Sequence, residues 1–274
     1  MVSFARPIRK DEIVIEDRGV FVESWLPERR SRHRPLFLVH GELGGSWVWE
    51  RYLGHFAHRG WEGHALNLRA HYWSEPADVS TLGFGDYVED VGVSLEQMTA
   101  PPIVFGHGLG GLLALKAAES RPVSALILIS PALPAEVRAP PRPHVVREIP
   151  DVYGREFVGW QAMPEQLHRR MPDLAVEDVL RVQHLMGRES GSVRRTMLMG
   201  VPVDRSAFAG TPILVVGGGL DRWFPERESE RLAEWLDADY EPFGAHSHYG
   251  LVIGAESYAQ VAEAVRAFLE SRRL

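Results

Sequence analysis

The segment Gly106-His107-Gly108-Leu109-Gly110-Gly111 lies between an apolar run with a β-branched start, Ile103 to Phe105, and a stretch rich in helix formers, Leu112 to Ala118. Glycines so placed predict a sharp strand-to-helix turn. Such a turn holds its apex residue, here Gly108, in a strained conformation above the C-terminal edge of a sheet. A nucleophile there would face a substrate, and glycine supplies none. Other chemistry-bearing residues also sit beside glycines, in His40-Gly41-Glu42-Leu43-Gly44-Gly45, in Gly217-Gly218-Gly219-Leu220-Asp221 and in Gly244-Ala245-His246-Ser247-His248-Tyr249. The His-x-His pair could bind a metal, but a third ligand at characteristic spacing is missing, so no metal site is expected. Gly106-x-Gly108-x-x-Gly111 also fits a dinucleotide-binding fingerprint. That fingerprint needs an acidic residue about 20 positions on, where this chain has Ile129-Ser130-Pro131, so dinucleotide binding is a minor alternative.

The elements that must position these residues follow from hydrophobic pattern. Ile13 to Glu16 and Val20 to Trp25 predict an antiparallel hairpin around Asp17-Arg18-Gly19. Leu36 to Val39, His64 to Leu68, Ala125 to Ile129, Pro212 to Val216 and Tyr240 to Phe243 predict further strands, several of them apolar enough to be buried on both faces. Between them fall helical stripes: Trp49, Leu53 and Phe56, stopped by Gly60; Val88, Val91, Leu95 and Met98; Leu232 to Leu236; and Val261, Val265, Phe268 and Leu269. Strands alternating with helices imply a mostly parallel sheet covered on both faces. The alternation stops at Leu133, where prolines cluster, and returns after about Asp204. Residues 133–204 therefore read as an inserted cap, with a helix from Val176 carrying Val179, Val182 and Met186, and residues 1–132 with 205–274 as the core.

In an open α/β sheet, chemistry gathers beyond the C-terminal ends of the strands, where four of these loops must lie. In order, they resemble the oxyanion loop, nucleophile elbow, acid loop and histidine loop of the α/β-hydrolase family, whose elbow is usually Gly-x-Ser-x-Gly. The resemblance covers nearly all of the chain outside the cap. It implies an α/β-hydrolase fold with about eight strands, helices on both faces and a helical cap. It also implies that Asp221 orients a catalytic histidine, which is His248 before Tyr249-Gly250-Leu251, with His246 the alternate. Backbone N–H groups of Leu109 and of Glu42 or Leu43 would form the oxyanion hole. Gly41, His107, Trp47, Trp160 and Tyr249 are the expected substrate contacts. The Glu42 carboxylate would oppose an oxyanion if it pointed inward, so it is expected to face solvent. Most of the cap's aromatic and Met residues are expected to be core, and Arg194 and Arg195 to lie exposed on a helix.

Gly108 stands where the resemblance expects serine, and loss of that serine costs roughly 10⁶ in turnover. Three readings follow. The leading one keeps chemistry, with His248 and Asp221 acting as a general base on water or on a substrate proton, as in lyases, cyclases or cofactor-free oxygenases of this fold. A second is a serine esterase or lactonase carrying an engineered Ser-to-Gly change. A third is a binding protein without turnover. The implied ligand is a small, largely apolar carbonyl compound, and no cofactor is expected.

Composition narrows the partners. A net charge of -7 without a basic block argues against nucleic acid and acidic membrane surfaces, and the lack of cysteine excludes disulfides, thiol nucleophiles and zinc-thiolate sites. Arg6, Arg9 and Lys10 precede no apolar stretch of signal-peptide type, so a soluble, cytoplasmic protein is expected. Oligomeric state is not legible in the sequence.

Overall fold

The computed structural model describes residues 8–29 and 31–274. Residues 1–7, which include Arg6 and begin the expected core segment, lie outside the described residues, as does residue 30. Strand β1 (Ile8–Ile15) turns through Gly19, at φ 62°, into β2 (Val20–Pro27), and the two pair antiparallel from Ile15 opposite Val20 to Ile8 opposite Pro27. The hairpin is longer than its apolar residues predict because its outer strand is exposed and carries charges at Arg9, Lys10, Asp11 and Glu12. Such charges blunt a sheet edge.

Strand β3 (Leu36–Val39), helix α1 (Glu50–Ala57), β4 (Gly63–Asn67), α2 (Phe84–Glu96), β5 (Ile103–His107), α3 (Leu109–Ala118) and β6 (Ala125–Ile129) follow in the expected order. Several expected residues fall just outside their elements: Glu16 past β1, Trp49 before α1, Leu68 past β4 and Met98 past α2, and later in the chain Met186 past residue 185 of its helix and Pro212 before the strand at 213–218. Residues 133–204, expected as a helical cap, contain α4 (Pro143–Arg147), β7 (Val152–Tyr153), α5 (Pro164–Arg170), α6 (Val176–Leu185), β8 (Glu189–Ser190) and α7 (Gly191–Met199). They are not purely helical, since β7 and β8 form a small antiparallel pair. The main sheet resumes with β9 (Ile213–Gly218), then α8 (Glu226–Leu236), β10 (Asp239–Phe243), α9 (Gly250–Ile253) and α10 (Ser257–Ser271).

Eight strands form the main sheet in the order β1-β2-β4-β3-β5-β6-β9-β10. β2 pairs antiparallel with β1 and with β4, and every other neighbour is parallel. This is an α/β-hydrolase fold. The strands β3, β4, β5, β6 and β9 are buried throughout, and β3 and β6 are unbroken apolar runs as burial on both faces requires. Two apolar layers cover them: α2, α3 and α8 contribute Val91, Leu112 and Leu232 to one, and α1 and α10 contribute Phe56 and Val265 to the other. No helix among the described residues is long and apolar enough to cross a membrane.

Candidate active site

The elbow is built by close packing. A Cβ on Gly110 would lie 2.3 Å from the carbonyl oxygen of Val39, and one on Gly106 would lie 2.5 Å from the Cα of Gly111. Only glycine lets α3 press this tightly on β3 and β5. The dinucleotide fingerprint is thus accounted for by helix–sheet packing, for Gly111 also abuts Pro131. Gly108, between β5 and α3, has φ 55° and ψ −121°. A side chain in such a conformation is strained by about 1–3 kcal/mol. Its Cβ would point at His248, 3.3 Å from both Cε1 and Nε2 and 3.4 Å from Cε2 of Phe224. Leu109 opens α3, so its N–H has no intrahelical acceptor.

His248 is tied to Asp221 through Nδ1, 2.6 Å from Oδ2. The same carboxylate oxygen accepts the Ser130 hydroxyl at 2.5 Å, and Oδ1 accepts the N–H groups of Trp223 and Phe224 at 2.8 and 3.0 Å. Burial acts to raise the Asp221 pKa, but His248 and these donors outweigh it and hold the carboxyl below its ordinary value. An ionised Asp221 makes Nδ1 the donor, so Nε2 faces Gly108 with a free lone pair. Ser130 ends β6 with a φ of 44° and was legible only as a strand terminus. His246 lies tilted against Phe243, ring centres 5.1 Å apart, and makes no bond to Asp221.

The remaining expected contacts divide. Tyr249, Glu42, Leu43 and Leu109 line a cleft of about 340 Å³ together with Arg194 and His248. Trp160 lines a neighbouring cavity. His107 lies beneath the histidine, its ring 4.0 Å from that of His248, and its Nε2–H donates to the His248 carbonyl at 3.1 Å. Gly41 serves that packing, since a Cβ there would lie 2.9 Å from the His107 carbonyl oxygen. Trp47 is core, 1% exposed and stacked on Tyr249. These three support the wall of the cleft and do not form it.

The oxyanion loop is held differently from expectation. Leu43, at φ 61°, turns its N–H to Glu189 Oε2 at 3.2 Å, which leaves Glu42 and Leu109 as the candidate backbone donors. The Glu42 carboxylate does not face solvent. It accepts Arg194 Nη1 at 2.7 Å and the Tyr153 hydroxyl, while the Arg194 guanidinium packs 5.4 Å from the Tyr153 ring centre. Its charge is thereby balanced by Arg194. Arg194 is accordingly a cleft residue whose side chain is 18% exposed, and Arg195 alone behaves as an outer residue, paired with Asp151.

A second charged group lies wholly inside. Glu189 of β8 accepts His71 Nε2 at 3.2 Å, Tyr87 Oη at 2.7 Å and its neighbour Ser190 N at 2.8 Å, besides Leu43 N. His71 also donates Nδ1 to the Arg69 carbonyl at 2.9 Å, so both ring nitrogens donate and the ring is an imidazolium. Burial opposes both charges, yet mutual attraction and these hydrogen bonds raise the His71 pKa and lower that of Glu189. No motif announces Glu189, since its partners come from two distant loops and from α2.

His40 and His107 are buried neutral. Burial and the neighbouring His71 push His40 down to about 3, and burial with His248 nearby pushes His107 well below its ordinary value. For a depressed folded pKa, stability is complete above the unfolded value of 6.5 and is lost as pH falls, because only the unfolded chain takes up the protons. These two groups alone are expected to lower unfolding free energy by about 2–3 kcal/mol per pH unit between about pH 6 and 5, and His55, lowered by burial to about 4, and His246, also lowered by burial, add in the same direction. Urea midpoints measured at pH 5, 6 and 7 check this, and an unchanged midpoint would contradict it.

Among curated proteins, none matches this sequence. Solved structures with the same fold include a bromoperoxidase from Bacillus anthracis, 14% identical, with a TM-score of 0.72 over 96% of this chain and 100% of that one. An esterase from Exiguobacterium antarcticum is 16% identical, with a TM-score of 0.70 over 92% and 95% of the two chains. The thioesterase domain from the curacin biosynthetic pathway is 18% identical, with a TM-score of 0.64 over 95% and 99%. At such identities the likeness is one of fold. The model of the Alpha/beta hydrolase family matches residues 36–264. That match runs from β3 into α10 and takes in the elbow, the acid loop and the histidine loop, and the chain belongs to the alpha/beta hydrolase family.

Proposed function

We propose that this chain is an enzyme acting on a small, largely apolar carbonyl compound, with His248 as general base and no covalent nucleophile. The observation that carries this reading is the aim of His248. Nδ1 is fixed by a buried carboxylate with four donors, and Nε2 faces the open space above Gly108. In that space Nε2 takes a proton from water or from a carbon beside the carbonyl, and Asp221 stabilises the resulting imidazolium. The N–H groups of Glu42 and Leu109 hold the carbonyl oxygen as it gains negative charge. Direct water activation, lyase, cyclase and cofactor-free oxygenase chemistry all begin with this step.

The protein is expected to hydrolyse p-nitrophenyl acetate slowly, without a burst and without labelling by a fluorophosphonate. His248→Ala should lose about 10²–10⁴ of the rate above background. A burst, a covalent adduct, or a rate indifferent to His248 overturns the reading, and the last outcome favours a binding protein without turnover. A serine esterase or lactonase carrying an engineered Ser-to-Gly change at residue 108 is a second reading, favoured by the direction of the Gly108 Cβ toward Nε2.

A further inference from the structure

Beside the cleft lies a second cavity of about 540 Å³, and Val158, Trp223 and His248 belong to the walls of both. Leu167, Met171 and Leu220 make its lining largely apolar. Trp160 stacks on Trp223 at 6.1 Å and is only 1% exposed, yet its indole N–H has no acceptor among the described residues. Two arginines line the same cavity: Arg170, the last residue of α5, and Arg222, next to Asp221. Both are exposed, and neither forms an ion pair or a side-chain hydrogen bond with any described residue. Elsewhere on this molecule arginines are commonly paired, as Arg18 is with Glu89 and Arg69 with Asp90.

We propose that this cavity receives the apolar body of the substrate and that Arg170 and Arg222 bind an anionic group, a carboxylate or a phosphate, at its exposed rim. The substrate class is then an anion-terminated apolar carbonyl compound. Because His248 borders both spaces, a ligand lying along the cavity brings its other end to Nε2. Placing the reacting carbonyl there rests on the general-base reading, whereas binding in the cavity stands without it. Guanidinium groups suit either anion, for both carboxylate and phosphate match their forked donors.

Calorimetric titration of the whole protein with octanoate, octyl phosphate and 1-octanol tests the assignment without requiring turnover. At least one anion is expected to bind about tenfold more tightly than the alcohol, a difference of about 1.4 kcal/mol. Arg170→Ala combined with Arg222→Ala should abolish that preference while leaving the melting temperature unchanged, as both side chains are exposed. Met171→Trp, which fills the cavity, should weaken all three ligands by about tenfold or more. The preferred anion identifies the terminal group. Equal affinity for the charged and neutral ligands overturns the anion site, and undiminished binding to Met171→Trp overturns the cavity. Selective binding without His248-dependent turnover removes only the general-base reading, and turnover without selective binding removes only this proposal.

Discussion

Gly108→Ser is expected to raise hydrolysis of p-nitrophenyl acetate by about 10³-fold or more, and His248→Ala added to it should remove the gain. The geometry argues for a large effect. Residue 108 already has elbow dihedrals, its Cβ vector already points at the imidazole, and Asp221 already orients that imidazole. A hydroxyl one bond further out lies within hydrogen-bond reach of Nε2 after a shift of a few tenths of an ångström, which Phe224 and His248 must share. The full serine contribution of roughly 10⁶ is not expected, because that shift loosens the dyad. Strain at this φ should lower stability by about 1–3 kcal/mol. The variant should also show a burst of p-nitrophenol, the sign of an acyl-enzyme. An absence of gain in a folded variant would mean that His248 stands too close to residue 108 for a serine to react, and that the site is built around the empty space.

Glu189→Ala is expected to lower unfolding free energy by about 3–5 kcal/mol, the scale on which a buried ion pair deprived of one partner destabilises a fold. Removing the carboxylate strands an imidazolium, a tyrosine hydroxyl and the Leu43 N–H in a volume closed to water. The pH dependence has a definite sign. The depressed pKa of Glu189 gives stability that is present above 4.5 and lost as pH falls through the lowered value, and the raised pKa of His71 gives stability that is present below 6.5 and lost as pH rises through the raised value. The deficit of the variant should therefore be largest between about pH 4.5 and 6.5. Urea unfolding of both proteins at pH 5.5 and 8.5 measures it. A loss below about 1 kcal/mol would mean that the pair is no better than a surface one. In a Gly108→Ser background, Glu189→Ala should also reduce esterase activity, since Leu43 carries the loop on which Glu42 presents its N–H.

The parts of the fold legible in the sequence are those whose signal is local. Leu36 to Val39 and Ala125 to Ile129 form strands with the bounds their apolar runs predict, because a strand buried on both faces must be apolar at every position. Asp221 and His248 were legible through their loops, each a glycine-rich exit from a strand. Side-chain direction was not. Trp47 sits in a 3-10 turn and His107 ends β5, and both turn inward, while Glu42 turns to Arg194, 152 positions away, which is there to meet it. Glu189 left no local trace for the same reason. Its role exists only once β8, the loop after β4 and the oxyanion loop have been brought together.

The three glycines of the elbow frame are not under the same constraint. Gly106 and Gly110 are locked by backbone atoms within 2.5 Å of where a Cβ would be, whereas Gly108 meets only side chains that can give way. Scaffold and reactivity are therefore separately heritable in this turn. A substitution at either outer glycine would displace α3 and put the whole molecule at risk, while a change at the apex tests new chemistry at a modest stability cost. The apex is the position where a lineage with this architecture can lose or regain a nucleophile in a single mutational step, with the rest of the catalytic apparatus left standing.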